Sequence, residues 1–458
     1  MTILLRSTLR ALAFRIGVTT LLASACSKGD TRHRDAEMPR EPATEVDGAV
    51  SVREDAAVAP RPVVQAPPAN LNILLITVDS LRADMPWAGY DRPIAPNLTE
   101  FEKKTVSYTH FYSLSSYTSM SLGGLLGGRY PGEMKRDGNF FGRYRDNKML
   151  PERLQAAGIH TVAAHAHLYF RKGAAGFDKG FDQYELVPGL KWNATTDENI
   201  TGPAHEKIAE RMLADPAHAT GRFFAWFHFL DPHDQYMRHP DIKPLGRKAR
   251  DLYDGEVTFT DRYIGQLLEF VAKQPWADRT AIILSADHGE AFGEHGAFRH
   301  AFELWQPLVR VPLMIYVPGV QARRIDLNRS AIDLAPTILE LMGVSCDEQA
   351  GVSLVPELYQ KQAPEPRDVI VDLPRTSNSD RRRAIIHDHY KIIAYGDDTY
   401  YQVFDLDADP GEMKSLEKSD RPKYDEMVAL YKRKRKDIKD IGPYACRTLK
   451  GAPVGRAY

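Results

Sequence analysis

The feature of the sequence that most constrains the fold is a recurring apolar run that ends in side chains able to bind a metal ion. Residues 73–78 (ILLITV) end at Asp79, and residues 281–286 (AIILSA) end at Asp287 and His288. The other runs of this kind are residues 160–164, which precede His165 and His167, and residues 223–230, which precede Asp231 and His233. Such runs are typical of parallel strands buried on both faces, and ligands bind beyond the carboxyl ends of such strands. The sequence therefore predicts one functional site at that edge of a sheet.

Helical patterns separate these runs and indicate the fold class. The predicted helices are residues 150–157, 204–213, 253–273 and 333–342, and a further strand is expected at residues 313–317. This alternation predicts an α/β fold over residues 71–360, with a mostly parallel sheet sandwiched by helices. Residues 361–458 are expected to form a small C-terminal α+β subdomain. Its predicted elements are short antiparallel strands at residues 368–372, 384–387, 391–394 and 403–406 and a charged helix at residues 424–439.

The N-terminal residues have the pattern of an export signal followed by a tether. Basic residues precede an apolar stretch at residues 16–25, so residues 1–25 are predicted to be a signal peptide. Residues 22–26 (LASAC) resemble a bacterial lipobox in which Cys26 is lipidated; an ordinary cleaved signal is the alternative. Residues 27–70 lack Ile, Leu, Phe, Trp and Tyr, so we predict a disordered linker over residues 26–70. The protein is therefore expected to be an exported lipoprotein of the bacterial cell envelope, held at the membrane by its lipid.

Charge and cysteine content exclude several functional classes. The chain has 60 Lys and Arg residues against 61 Asp and Glu residues, which argues against a nucleic-acid partner. Three cysteines exclude a disulfide-rich scaffold and a four-cysteine metal cluster. The basic run at residues 432–436 is interpreted as a solvated helix face, with contact to anionic lipid as the alternative.

Three residues are candidate ligands of a single divalent metal ion. Asp287 and His288 are adjacent, and Gly289 permits close approach of the backbone. Asp79 follows a buried strand, where a carboxylate needs a charged partner. Mixed oxygen and nitrogen ligands favour Zn²⁺ or Mn²⁺ over Ca²⁺. The alternatives are a helix N-cap for Asp79 and an ion-paired surface turn for residues 287–290.

Thr118 is the candidate nucleophile. It lies in a hydroxyl-rich stretch, residues 115–121, that leads into a short glycine-containing helix. The N-terminus of a helix offers unpaired N–H groups and a positive dipole end, which suits attack on an anionic ester.

Nine segments together resemble the sulfatase branch of the alkaline-phosphatase superfamily, in that family's order. They are residues 72–84, 95–98, 118–131, 177–182, 231–233, 285–296, 308–312, 333–343 and 404–410. The resemblance implies a sulfatase-like fold in which Asp79, Asp287 and His288 bind the metal and Thr118 is both nucleophile and ligand. It also implies further roles for four histidines: substrate binding for His165 and His167, and catalysis at the leaving group or anion for His233 and His300.

The chain departs from the family at the nucleophile. Sulfatases convert a Cys or Ser in a Cys-x-Pro-Ser-Arg motif to formylglycine, whereas this chain has Thr118-Ser-Met-Ser-Leu122. Threonine cannot give formylglycine, and Ser80 replaces a second acidic ligand. Threonine beside an Asp/Asp/His site resembles the phosphodiesterase, phosphonate-hydrolase and transferase relatives.

The expected function is that of a metal-dependent hydrolase or transferase that acts on an anionic ester. A phosphoester is favoured, in a phospholipid head group or an envelope polymer. The alternatives are a sulfuric ester hydrolase without formylglycine and a catalytically inactive envelope protein that binds glycans or lipid head groups. A second metal held by Asp231 or His233 with His300 is a further alternative, and His228 and His295 are interpreted as structural.

Overall fold

A computed structural model describes residues 67–139, 142–191, 198–216, 221–360 and 363–443. The predicted signal peptide, Cys26 and the linker before residue 67 lie outside these residues. Among the described residues, no helix has both the length and the apolar character needed to cross a membrane.

The secondary structure follows the predicted alternation and adds several elements. In chain order, the strands are β1 (Asn72–Val78), β2 (Val106–Tyr112), β3 (His160–His165), β4 (Gln183–Leu186), β5 (Phe223–Phe229), β6 (Thr280–Ala286), β7 (Ala291–Phe292), β8 (Phe298–Arg299), β9 (Leu313–Tyr316), β10 (Arg323–Ser330), β11 (Val369–Leu373), β12 (Arg382–His387), β13 (Tyr390–Tyr395) and β14 (Tyr400–Asp405). The helices are α1 (Pro96–Glu102), α2 (Thr118–Gly127), α3 (Leu150–Ala156), α4 (Gly202–Leu213), α5 (Ala249–Ala272), α6 (Gln306–Val309), α7 (Leu334–Leu341), α8 (Val355–Leu358) and α9 (Arg421–Lys434).

The larger sheet has eight strands in the spatial order β10-β2-β9-β6-β1-β5-β3-β4. All neighbouring pairs are parallel except those made by β9, which runs antiparallel to both β2 and β6. The prediction of a mostly parallel sheet with flanking helices is therefore confirmed. Strands β1, β5 and β6 lie side by side at the centre, and all of their residues are buried. Their carboxyl ends meet at one edge, where the polar residues of the sequence motifs follow.

The C-terminal residues form an antiparallel sheet in the order β11-β12-β13-β14, with α9 packed on β13 and β14. This confirms the predicted C-terminal subdomain. Helix α9 begins earlier than predicted, because the side chain of Asp420 accepts a hydrogen bond from the backbone N–H of Lys423 at 3.0 Å and caps the helix. In the basic run, Lys434 Nζ lies 2.9 Å from Asp368 Oδ2, so part of this charge is paired within the fold.

The C-terminal sheet shares an apolar cluster with the segment between β2 and α2. In this cluster Tyr117 and Met120 pack with Val369 and Val371. The backbone N–H of Asp372 also donates to the carbonyl of Leu114 at 2.8 Å. The smaller sheet therefore supports the chain on both sides of Thr118.

Candidate active site

The three predicted metal ligands converge at the carboxyl edge of the larger sheet. Asp79 directly follows β1, and Asp287 and His288 directly follow the neighbouring strand β6. Each offers one ligand atom, and these atoms all lie within 4.8 Å of one another. All three residues are buried, which excludes the interpretation of residues 287–290 as an exposed turn.

The hydrogen bonds of His288 determine which of its ring nitrogens can bind a metal. Nδ1 lies 2.9 Å from the carbonyl oxygen of Gly289, which can only accept, so Nδ1 carries the proton. Burial and, to a smaller degree, the nearby His300 lower the pKa of His288 to about 3, so the ring is neutral. Nε2 can therefore accept from the Thr118 hydroxyl, whose Oγ1 lies 2.9 Å away, and it lies 3.4 Å from Asp287 Oδ2, which is also an acceptor.

The chemistry of this donor set fits a divalent cation. Asp287 Oδ2 is buried and has no hydrogen-bond partner among the described residues. Burial and the neighbouring Asp79 carboxylate raise the pKa of Asp287 well above its usual value. Two buried carboxylates beside a neutral imidazole nitrogen need a positive charge that the described side chains of the cluster do not supply.

Ser80 links the two carboxylates instead of serving as the second acidic ligand. Its backbone is in the left-handed region, with φ of 60°, and the residue is buried. Its hydroxyl donates to Asp79 Oδ1 at 2.9 Å, and its N–H donates to Asp287 Oδ1 at 3.2 Å. Tyr253 holds this turn from behind, since its hydroxyl donates to the Ser80 carbonyl at 2.9 Å.

Gly289 permits the close backbone packing that the sequence indicated. A Cβ atom built at this position would lie 2.0 Å from the carbonyl oxygen of Pro307 in α6. The N–H of Gly289 donates to the Leu308 carbonyl at 2.8 Å, which ties the ligand turn to α6.

Replacing Gly289 by alanine is therefore expected to move the turn that carries Asp287 and His288. We expect a loss of about 1–3 kcal/mol in the free energy of unfolding, as for overpacked cores, and weaker metal binding. Denaturant unfolding and metal titration measure both effects. Gly255 in α5 is the matched control, because a Cβ there meets nothing within 4 Å. A Gly289→Ala protein as stable as Gly255→Ala would contradict the prediction.

Thr118 is the first residue of α2 and is partly exposed, with Tyr117 at the N-cap position. This confirms the predicted helix after the hydroxyl-rich stretch. Its Oγ1 contact with His288 Nε2 at 2.9 Å brings the candidate nucleophile to the metal ligands. Its role as nucleophile and ligand remains a prediction that this geometry permits.

His300 and His233 lie next to the ligand cluster. The His300 ring centre is 4.2 Å from that of His288 and 4.9 Å from that of His233. His300 Nδ1 also lies 3.2 Å from an oxygen of Glu290. Burial raises the pKa of Glu290 to about 7, although His233 and His288 oppose this shift. The sequence analysis assigned no role to Glu290, although it follows His288 by only two residues.

The structure does not bring His165 to this site. Its ring is fully buried and packs on Trp226, Phe170 and Tyr184, with ring-centre distances of 4.3 Å, 4.8 Å and 5.0 Å. A ring enclosed in this way offers no surface to a substrate. His167 is partly exposed, and its Nδ1 accepts a hydrogen bond from the Tyr169 N–H at 2.9 Å. This bond caps a short helical turn, so part of the role of His167 is local.

The structure also shows the surroundings of Asp231, His295 and His228. Asp231 accepts hydrogen bonds at 2.7 Å and 2.8 Å from the N–H and hydroxyl of Thr201, which occupy both of its oxygens. Within the described ranges, only Asp79, Asp287 and His288 form a group of at least three clustered ligands. His295 stacks on Trp305 at 3.9 Å, in keeping with a structural role. His228 was interpreted as structural, and its Nε2 lies 3.2 Å from Asp79 Oδ2, so it contacts a candidate metal ligand.

Comparison with known proteins identifies the family. A family model described as sulfatase matches residues 71–344. A second model, described as the C-terminal region of N-sulphoglucosamine sulphohydrolase, matches residues 293–440. A choline-sulfatase of Rhizobium meliloti is 29% identical over 207 residues, or 43% of this chain and 40% of that protein. A sulfatase of Formosa agariphila is 23% identical over 425 residues, or 74% of this chain and 82% of that protein.

A solved structure shows the same fold. The phosphonate monoester hydrolase of Agrobacterium radiobacter aligns with a TM-score of 0.66 and 17% identity, over 80% of this chain and 95% of that chain. At this identity the likeness concerns the fold alone. The sulfatase model, by contrast, covers more than half of the sequence and includes all three clustered ligands. The chain therefore belongs to the sulfatase family, within the alkaline-phosphatase superfamily.

Proposed function

We propose that this protein cleaves a phosphoester, with Thr118 as the nucleophile. The observation that carries the proposal is the contact of the Thr118 hydroxyl with His288 at 2.9 Å, at the N-terminus of α2 and beside the ligand cluster. A threonine at this position provides a hydroxyl oxygen that can attack phosphorus, but it cannot be converted to formylglycine.

The identity of the nucleophile favours phosphorus over sulfur as the attacked atom. A formylglycine hydrate releases sulfate by collapsing to the aldehyde, and a sulfated threonine has no such route. A phosphorylated threonine can instead be resolved by attack of water or an alcohol at phosphorus. In the first step, the bond between Thr118 Oγ1 and phosphorus forms, the bond to the leaving oxygen breaks, and the leaving oxygen takes up the proton that Thr118 loses. In the second step, the oxygen of water or an alcohol bonds to phosphorus, the bond to Thr118 Oγ1 breaks, and Thr118 regains a proton from the entering molecule.

A divalent cation held by Asp79, Asp287 and His288 would supply positive charge that lowers the pKa of the Thr118 hydroxyl and polarises the phosphoryl oxygen. The proton transfers are carried out by side chains next to the ligand cluster. His300 and His233 exchange protons with the leaving and entering oxygens. Glu290 is a positioning residue, because its contact with His300 Nδ1 directs Nε2 away from Glu290.

The envelope location that we propose favours a phosphodiester substrate. The predicted lipid on Cys26 would hold the enzyme in the bacterial envelope, where phospholipid head groups and envelope polymers supply such esters. Whether water or a bound alcohol completes the reaction decides between hydrolase and transferase.

Sulfuric ester hydrolysis is the second candidate, because relatives of the chain are described as choline-sulfatase and sulfatase. It requires a mechanism without formylglycine. A catalytically inactive binding protein is less well supported, since Asp79, Thr118, Asp287 and His288 remain clustered in one place.

A side-by-side assay separates these candidates. The purified protein is supplied with Mn²⁺ or Zn²⁺ and offered nitrophenyl esters as a phosphodiester, a phosphomonoester and a sulfate. We expect the phosphodiester to be cleaved at least about tenfold faster than the sulfate. Faster cleavage of the sulfate would overturn the phosphoester proposal, and turnover of none of the three with stoichiometric metal bound would count against it.

A further inference from the structure

His228 lies beneath the candidate metal site, on the central strand β5. The strand register places it opposite Thr77 of β1, two residues before Asp79. The side chain is fully buried, and its Nε2 lies 3.2 Å from Asp79 Oδ2. His228 does not belong to the cluster whose ligand atoms lie within 4.8 Å of one another, so it acts behind the cluster.

A chain of buried hydrogen bonds determines which nitrogen of His228 carries the proton. Trp226 Nε1 is a donor only, and it lies 2.9 Å from Thr77 Oγ1. Thr77 Oγ1 lies 2.8 Å from His228 Nδ1. The Asp79 carboxylate is an acceptor only, so His228 Nε2 donates to it. The Thr77 hydroxyl accepts from Trp226 and donates its own proton to Nδ1, and every group in the chain is then satisfied.

This arrangement secures the second oxygen of Asp79. Ser80 donates to Oδ1 and His228 donates to Oδ2, so the two bonds set the rotation of the carboxylate between them. Each carboxylate oxygen accepts about two hydrogen bonds or metal contacts, so both oxygens of Asp79 keep a lone pair for a metal ion shared with Asp287 and His288. Residues behind metal ligands commonly set ligand orientation and basicity in this manner.

We propose that His228 is a positioning residue for the metal ligand Asp79, and that Thr77 and Trp226 hold it in the tautomer that donates from Nε2. The inference rests on the proposed metal site and goes beyond it, because it concerns affinity for the ion rather than the reaction. His228 contacts no substrate, since it is fully buried.

Calorimetric titration of metal-free protein with Zn²⁺ and with Mn²⁺ tests this role without an activity assay. We expect His228→Leu to raise the metal Kd about 10–100-fold, as for other residues that hold a ligand. His228→Gln is expected to stay within about threefold of wild type, because its side-chain amide donates from a similar position. A folded His228→Leu protein with the wild-type Kd would overturn the inference. A wild-type protein that binds neither ion would overturn the proposed metal site itself.

His205 provides a matched control for the loss of a buried histidine. It is fully buried on α4, its Nε2 lies 2.9 Å from the Ala164 carbonyl, and its ring stacks on Phe229 at 4.5 Å. His205→Leu is expected to lower the melting temperature yet leave the metal Kd unchanged. An equal loss of metal affinity in His205→Leu and His228→Leu would show a general structural effect and overturn the specific role.

A spectroscopic measurement covers the case in which His228→Leu does not fold. Nitrogen NMR of labelled histidine distinguishes a ring protonated on Nε2 from one protonated on Nδ1. We expect His228 to carry its proton on Nε2 in the wild-type protein. In Thr77→Val only Asp79 favours the Nε2 proton, so we expect this preference to weaken and the metal Kd to rise severalfold. A wild-type His228 with its proton on Nδ1 would overturn the inference.

Discussion

Thr118→Ala is expected to lower the phosphodiesterase kcat by about 10⁴-fold or more, the scale seen when a nucleophile is removed. The variant loses the oxygen that attacks phosphorus, whereas the fold loses little, because Thr118 is partly exposed at the start of α2. Steady-state kinetics with the nitrophenyl phosphodiester measure the loss, and a thermal melt shows that the protein remains folded.

Two further substitutions make the result specific. Thr118→Ser keeps a hydroxyl group at this position and is expected to retain measurable turnover. Ser121→Ala, one turn along the same helix, removes a buried hydroxyl and is expected to leave kcat within about threefold of wild type. Turnover by Thr118→Ala at the wild-type rate would eliminate Thr118 as the nucleophile.

Asp287→Asn is expected to be more stable than the wild type without metal and less stable than the wild type with it. In metal-free protein, this change relieves the repulsion between two buried carboxylates, so the variant should melt at a higher temperature than the wild type. Its Oδ1 still accepts from the backbone N–H groups of Ser80 and His288, and the replaced Oδ2 has no hydrogen-bond partner in the described part of the chain. At a metal concentration of 100 times Kd, the wild type should gain about 2.7 kcal/mol. The variant should gain almost nothing and should lose turnover.

Melting curves with and without Zn²⁺ or Mn²⁺ measure this crossover. Asp84→Asn is a suitable control, because Asp84 pairs with Arg82 and Arg250 at 2.8 Å and lies outside the ligand cluster. It should lower stability equally with and without metal. An Asp287→Asn protein that is stabilised by metal as strongly as the wild type would exclude Asp287 as a ligand.

The central strands and the metal ligands were predictable because one local pattern encodes both. An apolar run such as residues 73–78 specifies a buried strand, and the polar residue that ends it must lie at the carboxyl edge. Strands β2 and β10 were not predicted from the sequence, because polar and apolar residues are mixed in them. Strand β10 (RRIDLNRS) lies at the edge of the sheet and is only partly buried. A pattern of continuous burial does not describe such a strand.

The roles of individual histidines were harder to predict, because they depend on contacts between distant residues. His165 follows an apolar run just as Asp79 does, yet the rings of Phe170, Tyr184 and Trp226 enclose it. His228 was interpreted as structural without an assigned partner, yet it hydrogen-bonds Asp79, which follows the neighbouring strand. The contact between Glu290 and His300 could not be predicted, because it depends on how the chain folds between the two residues. The positions of these residues along the sequence do not reveal any of these contacts.

The smaller sheet limits how far this protein can be treated as modular. Tyr117 precedes the candidate nucleophile and packs with Val369 and Val371 of β11, while Asp372 donates to Leu114. A truncation at the change of sequence pattern near residue 361 would expose this cluster and release the chain around Thr118. Exchange of the C-terminal region between relatives would likewise alter the support of the nucleophile. The sequence boundary near residue 361 marks a change from a mostly parallel to an antiparallel sheet. The chain around Thr118 is nevertheless held in place by residues from both sides of this boundary.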